Sequence, residues 1–314
     1  MLAEEVRSGL VETVHDGAVA VVSASGELIA SYGEIDRLFY FRSSAKPFQA
    51  AVSQACGAGL VREQLALACA SHDGEPVHVA LVESILAGAG LTADDLANPP
   101  GWPLSVPAGR RLAADGHTRP NRLWHNCSGK HAAMLAATVA SGWDTANYLD
   151  SDHPLQARIT ESIRDVSGPV DPIGVDGCGA PVFATTARGM GRAFARLSVA
   201  AEFLEIFDAM HAFPALVSGF DNVDAAIATQ LDAVAKRGAA GALGIGLRGK
   251  LGIAVKVWGG SGLIAGVAGL AALDQLGALT PYARERLERH SHPVVKGGGQ
   301  PVGRFEPRLE LRWQ

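Results

Sequence analysis

Alternation is the first pattern along the chain. Residues 18–23 (AVAVVS) and 27–32 (ELIASY) are apolar runs flanking Ala24-Ser25-Gly26, which predicts a β-hairpin. A short strand at 38–41 follows. Arg42-Ser43-Ser44-Ala45-Lys46-Pro47 then opens an apolar helix, with Ser43 or Ser44 as its N-cap and Pro47 tolerated in the first turn. Helical spacing continues at 62–70 and 76–89, and resumes at 130–141 and 154–166. Between these, residues 96–123 are rich in Pro, Gly and Arg and read as a surface excursion. Residues 172–178 read as a strand entering a turn, and 182–197, 199–211 and 222–237 as helices. A hairpin is expected at 251–266, a terminal helix at 267–276, and an edge strand in the tail sequence RLELRW. Strands gathered at both ends with helices between imply an α/β (α+β) fold, an antiparallel sheet built from both chain ends around a helical part. No internal repeat or disordered linker divides residues 1–314, so one domain is expected.

Composition narrows the function classes. Apolar residues make up 48% and charged residues 19%, enough for a core without staples. Net charge is −5 and no dense Lys/Arg run occurs, so neither a nucleic-acid nor a membrane partner is expected. The most apolar tract, 251–273, carries Lys256 and a Gly-Gly-Ser-Gly break, and reads as protein core rather than a membrane span. The first residues are acidic and lack the apolar segment of a signal peptide. Four cysteines are too few for a disulfide framework, which points to a cytoplasmic chain. Cys56 and Cys69 lie in apolar helical stretches and read as core.

Five short motifs carry chemistry. In Ser43-x-x-Lys46, serine and lysine three apart share a helix face, and a lysine kept neutral by burial or nearby positive charge can take the serine proton. The pattern occurs in penicillin-recognising enzymes; alone, it is more often a helix cap beside a solvated lysine, but here it follows a strand and opens an apolar helix, the setting the chemistry requires. Ser71-His72-Asp73-Gly74-Glu75 interrupts two helices with a dense set of functional groups, as a site loop or as an Asp-Gly turn. His125-Asn-Cys-Ser-Gly-Lys-His131 and Asp176-Gly-Cys-Gly-Ala-Pro181 bring Cys127, Lys130 and Cys178 into question as Zn²⁺ ligands. Their spacing lacks the paired-ligand pattern, so on spacing alone free buried cysteines are the better reading. In Gly252-Ile-Ala-Val-Lys-Val-Trp-Gly-Gly260, alternation puts Ile253, Val255 and Val257 on one face and Ala254, Lys256 and Trp258 on the other. Lys256 there is either solvated or partnered.

Taken in order, RSSAKPFQA, ASHDGEP, HNCSGKHAAMLA, DGCGAP and GIAVKV, after the opening LVETVHDG and AVAVVSASGELIASYG, resemble the asparaginase II family, the rhizobial-type or class 3 L-asparaginases. The resemblance runs from about residue 6 to residue 304 and implies one catalytic domain with a fold like serine β-lactamases and penicillin-binding proteins. It implies Ser43 as nucleophile with Lys46 as its base, and Ser71 with Lys256 as a second pair facing them. It implies Arg42, His131 and Asp176 in the substrate pocket, and zinc on Cys127, Lys130 and Cys178. A homodimer and the hydrolysis of L-asparagine to L-aspartate and ammonia are carried over in the same way. Two segments depart from the family pattern, Val257-Trp258-Gly259-Gly260 and Val217-Ser-Gly-Phe-Asp-Asn222. They leave open a β-lactamase-like or other amide or peptide hydrolase, and a catalytically idle paralogue that binds amino acids or zinc.

Overall fold

The computed structural model describes residues 1–219 and 221–314. Phe220, within the second departing segment, lies outside the described residues. The chain opens with strands β1 (Ala3–Arg7), β2 (Leu10–His15), β3 (Gly17–Ser23), β4 (Leu28–Tyr32) and β5 (Phe39–Tyr40). A 3₁₀ turn, Arg42–Ala45, runs into α1 (Lys46–Ala55), followed by α2 (Arg62–Ala68), α3 (Pro76–Gly88), α4 (Val106–Ala114), α5 (Ser128–Ala140) and α6 (Pro154–Ser167). Strands β6 (Ile173–Val175) and β7 (Pro181–Thr185) precede α7 (Ala187–Val199), α8 (Leu204–Ala212), α9 (Pro214–Ser218) and α10 (Val223–Gln230). The chain closes with β8 (Ala233–Gly238), β9 (Ala242–Leu247), β10 (Leu251–Val257), α11 (Gly262–Gln275), α12 (Pro281–Ser291), β11 (Val294–Gly297), β12 (Gln300–Pro307) and β13 (Arg312–Trp313).

The central sheet has the order β13-β4-β3-β10-β9-β8, with antiparallel pairings, so both chain ends build it as expected. A four-stranded sheet, β11-β12-β1-β2, joins the two ends again. The predicted hairpin is β3–β4, and the tail strand β13 lies at the edge beside β4. Alternation sorts the two faces. Val19, Val21, Leu243, Ile245, Ile253 and Val255 pack under α11 and α12, while Ala18, Ala20, Val234, Ala242 and Ala254 face the helical part. Among the described residues no helix is long and apolar enough to cross a membrane.

Small residues decide how closely the helical part approaches. Helix α7 lies across β3, β10 and β9, over Gly244 and Gly252. A Cβ on Gly252 would come 2.2 Å from the Ala195 nitrogen and 2.2 Å from the Gly191 oxygen, both backbone. A Cβ on Gly244 would come 2.0 Å from the Phe194 ring. Since backbone cannot step aside as a side chain can, Gly252→Val should cost about 3 kcal/mol, at the upper end of overpacking penalties. Urea denaturation of the variant reads this as a lower midpoint.

Three expectations about elements are corrected. The helix expected at 222–237 ends at Gln230, where Leu231 turns extended, and Ala233–Gly238 is the fully paired edge strand β8. Its alanines and valine fit a strand face as well as a helix face, so periodicity could not separate them. The helix expected at 182–197 is strand β7, then α7, which starts where the Thr186 hydroxyl accepts the Gly189 N–H. The second strand of the hairpin expected at 251–266 is the start of α11, capped by Ser261 on the Ile264 N–H. The antiparallel neighbours of β10 are β3 and β9. The surface excursion at 96–123 holds one helix, α4, and residues 3–15 form β1 and β2, which periodicity had not marked.

Candidate active site

Three pieces of chain meet on the helical side of the central sheet: the turn at 42–45, the loop between α2 and α3, and strand β8. Arg42 holds a left-handed backbone with φ 54°. For a non-glycine residue this costs on the order of 1–3 kcal/mol and persists where surroundings over-determine it. Here the Phe41 N–H donates to Phe183 O at 2.9 Å, and Arg42 Nε donates to Asp176 Oδ1 at 2.8 Å. The turn leaves the Ser43 hydroxyl half-buried, with no hydrogen bond to another side chain or backbone group among the described residues. Neither serine caps α1; Ser44 is buried and donates to Lys236 O at 3.1 Å.

Lys46 enters the core rather than the solvent, being only 1% exposed. Its Nζ donates to Ala70 O, to Ser71 Oγ at 3.1 Å and to Asn126 O at 3.5 Å. Lys236, fully buried on β8, donates to Ser71 Oγ at 3.0 Å and to Arg237 O at 3.0 Å. Two buried lysines therefore converge on one serine hydroxyl. Burial, with the charges of Lys46 and Arg237, pushes the Lys236 pKa down to about 7 against the pull of Asp224, whose carboxylate lies 3.9 Å away. Lys236 is thus the lysine poised to be neutral near neutral pH.

Lys256 does not take that position. Alternation places it on the site side of β10 as expected. Its Nζ, however, donates to Ala240 O and lies 5.5 Å from the centre of the Phe39 ring. Burial and the charges of Arg42 and Arg37 lower its pKa. The second serine–lysine pair in the structure is therefore Ser71 with Lys236, and the expected Ser71–Lys256 pair is not formed. Sequence reasoning missed Lys236 because its strand was read as helix. The signal was present: Val234 and Lys236 alternate on β8 as Ala254 and Lys256 do on β10.

Cys127 precedes α5, Lys130 lies in its first turn, and Cys178 sits in the turn where Asp176 N–H meets Ala180 O at 2.8 Å. Lys130 Nζ is 3.1 Å from Cys178 Sγ. A hydrogen bond with Cys178, aided by Lys46 and Lys130, holds the Cys127 thiol well below its usual pKa. Burial disfavours the Lys130 ammonium, but Cys178 and Cys127 outweigh it and hold the amine above the usual lysine range. Among the described residues no three His, Cys, Asp or Glu side chains form a metal-binding group. The donors that do converge are two thiols and an amine. His131 is fully buried beside them, its Nδ1 2.7 Å from the Tyr148 hydroxyl and its Nε2 without a hydrogen-bond partner of good geometry among the described residues, and burial lowers its pKa to about 4 against the pull of nearby Cys178. It therefore stands behind the thiols, closed off from solvent. Asp176 accepts from both Arg42 Nε and the Gly177 N–H at 2.8 Å, so two of the expected substrate residues are paired with each other.

The rest of the 71–75 loop is structural or faces away. His72 is buried; its Nδ1 accepts the Gly74 N–H at 3.1 Å, so its Nε2 carries the proton donated to Ser128 Oγ at 2.8 Å. Glu75 accepts from Ser105 and Arg111. An open cavity of about 570 Å³ lies beyond the loop, lined by Asp73, Glu75, His78, Ser105 and Asp221. A second cavity, about 480 Å³ between α11 and α12, lies on the opposite face of the sheet from the lysines.

Among known proteins, the L-asparaginase II family matches residues 3–307. No curated protein matches the chain. Solved structures similar to it include Mglu in its native form, with 17% identity and a TM-score of 0.45 over 88% of this chain and 68% of that one. Mglu in its L-glutamate binding form in 4.3 M NaCl has 15% identity and a TM-score of 0.45 over 86% of this chain and 62% of that one. The probable glutaminase ybaS has 16% identity and a TM-score of 0.38 over 76% of this chain and 77% of that one. The family match takes in every element from β1 to β12, the serine–lysine cluster among them, and the chain belongs to the L-asparaginase II family of amide hydrolases.

Proposed function

We propose that this protein hydrolyses the side-chain amide of L-asparagine to L-aspartate and ammonia through an acyl-enzyme on Ser43, in a fold of the serine β-lactamase kind. The observation that carries this reading is the meeting of Lys46 and Lys236 on Ser71 Oγ. Such a cluster can draw a proton from a neighbouring hydroxyl without a histidine. In the proposed reaction Ser43 Oγ attacks the carboxamide carbon and yields its proton to Lys46 as Lys46 gives one of its own to Ser71 Oγ and the Ser71 hydroxyl turns to give its proton to neutral Lys236. Lys46 and Ser71 end that concerted step as they began it, and Lys236 holds the added proton. The cluster then returns a proton to the leaving nitrogen, so that ammonia departs and an aspartyl ester remains on Ser43. Water enters by the same proton route and releases aspartate. Arg42 is proposed to meet the substrate's carboxylate, and Asp176 its ammonium.

A second reading is favoured by the same observation. Ser71, which carries both lysine contacts, could itself be the nucleophile, with Lys236 as its base. Ammonia release from L-asparagine and from L-glutamine tests the function. Turnover of neither amide, with tight binding of one of them, supports an idle paralogue. A covalent penicillin adduct instead supports a β-lactamase-like activity.

Cys127, Lys130 and Cys178 fit Zn²⁺ by donor type, since thiolates suit it and the Cys127 thiol is already acidified. The Lys130 amine must give up its proton to join them. Bound zinc would supply a fixed positive charge that orders the 176–180 turn. Metal analysis of protein purified without chelator is expected to show zinc in the wild type and its loss in Cys127→Ser and Cys178→Ser. A homodimer in the cytoplasm is the proposed setting, and light scattering checks the oligomer.

A further inference from the structure

One buried carboxylate beside Lys236 takes no part in the reaction proposed above. Asp224, in the first turn of α10, is 2% exposed. Its Oδ2 accepts the backbone N–H of Arg237 at 2.9 Å and lies 3.9 Å from Lys236 Nζ, while its Oδ1 lies 2.8 Å from Arg237 Nε. These polar contacts go to two adjacent residues of β8. A buried carboxylate is costly unless its partners satisfy it; here Oδ2 is held by the strand N–H, while Oδ1 has the Arg237 charge beside it without a hydrogen bond among the described residues, so its aim at this one point of the strand is informative. The helix N-terminus favours the anion there. From the opposite side, Ser44 Oγ holds Lys236 O.

We infer that Asp224 is a positioning residue that fixes Lys236 against Ser71 and sets the pH at which the serine–lysine cluster becomes active. The inference rests on the amide-hydrolase reading above. The charged and titratable groups facing Lys236 are Lys46 on α1, Cys69 after α2, Cys127 before α5, Asp224 on α10 and Arg237 on its own strand. Burial, Lys46 and Arg237 favour the neutral amine, whereas Asp224 and, less strongly, Cys127 favour the ammonium. Removing the Asp224 charge therefore makes Lys236 neutral at lower pH.

The test uses the full chain as wild type, Asp224→Asn, Asp224→Glu and Arg237→Gln. Two readouts are taken across roughly pH 5 to 9: kcat/KM for L-asparagine, and competitive acetylation of Lys236 by acetic anhydride, followed by mass spectrometry. In Asp224→Asn both midpoints should fall by about one pH unit, so that one unit below the wild-type midpoint the active fraction rises about fivefold. Asp224→Glu should restore both to within about 0.3 unit. Arg237→Gln, whose side chain is partly exposed and which leaves Lys236 as the one cation beside Asp224 while keeping the backbone N–H bond, should raise both midpoints. Folded Asp224→Asn with wild-type midpoints overturns the inference. If that variant does not fold, unmoved midpoints in Arg237→Gln overturn it as well. A wild type that does not hydrolyse L-asparagine overturns the amide-hydrolase reading instead, and the acetylation midpoints still decide the role of Asp224.

Discussion

Ser43→Ala is expected to lower kcat for L-asparagine about a thousandfold or more, the usual scale for loss of a covalent nucleophile. The argument is geometric. The strained backbone at Arg42 and the Arg42–Asp176 pair set Ser43 at the turn, half-buried and free of hydrogen bonds to other protein groups among the described residues. An unengaged hydroxyl can meet a substrate without first breaking a bond. Ser71 is engaged by two lysines and suits a relay. Ser71→Ala breaks the relay from Lys46 to Lys236 but keeps the Ser43 hydroxyl, so acylation should be slow rather than abolished. Acid quench and intact-mass measurement separate the two roles. An aspartyl adduct in Ser71→Ala and none in Ser43→Ala supports the proposed assignment. The reverse pattern, with Ser43→Ala fully active, transfers the nucleophile to Ser71.

Lys236→Met should cost about a hundredfold to ten-thousandfold in kcat/KM, the range for losing a general base, whereas Lys256→Met should cost less than about tenfold. Both lysines occupy the same sheet face, so the contrast tests position rather than charge. Lys236 reaches Ser71 Oγ at 3.0 Å, and Lys256 instead bonds Ala240 O. The wild-type pH profile should rise through about 7, because Lys236 must be neutral to accept a proton and its pKa lies there. The sign for stability follows from the same shift. Between about 7 and the ordinary lysine value near 10.4, the unfolded chain binds more protons than the folded one, so stability rises with pH across that window. Methionine at 236 removes a buried charge while roughly keeping volume, and Arg237 still pairs with Asp224 at 2.8 Å. The variant should therefore stay folded, and a thermal melt alongside the assay keeps loss of activity distinct from loss of fold.

The order of motifs along the chain was enough to identify the family, and alternation was enough to place the β3–β4 hairpin and the two faces of β10. These features are local: a side chain's face follows from the parity of its position, and a cap from the residues within one turn of it. The strand-to-helix setting of Ser43-x-x-Lys46 was legible for the same reason. What periodicity could not separate was strand from helix in stretches of small residues. Ala-Val-Ala-Lys at 233–236 fits both, and reading it as helix hid Lys236 and its approach to Asp224. Motif order also could not decide which lysine serves Ser71. Lys236 and Lys256 both lie on the helical side of the sheet, twenty residues apart in sequence, and each looks equally expensive to bury. The tertiary structure decided it, because β8 is anchored on one side by Asp224 of α10 and on the other by Ser44 of the 42–45 turn. That register delivers Lys236 to Ser71 and directs Lys256 toward Ala240 and Phe39. A proton path is a matter of a few ångströms between groups far apart in sequence, and only the packing of strands and helices sets such distances.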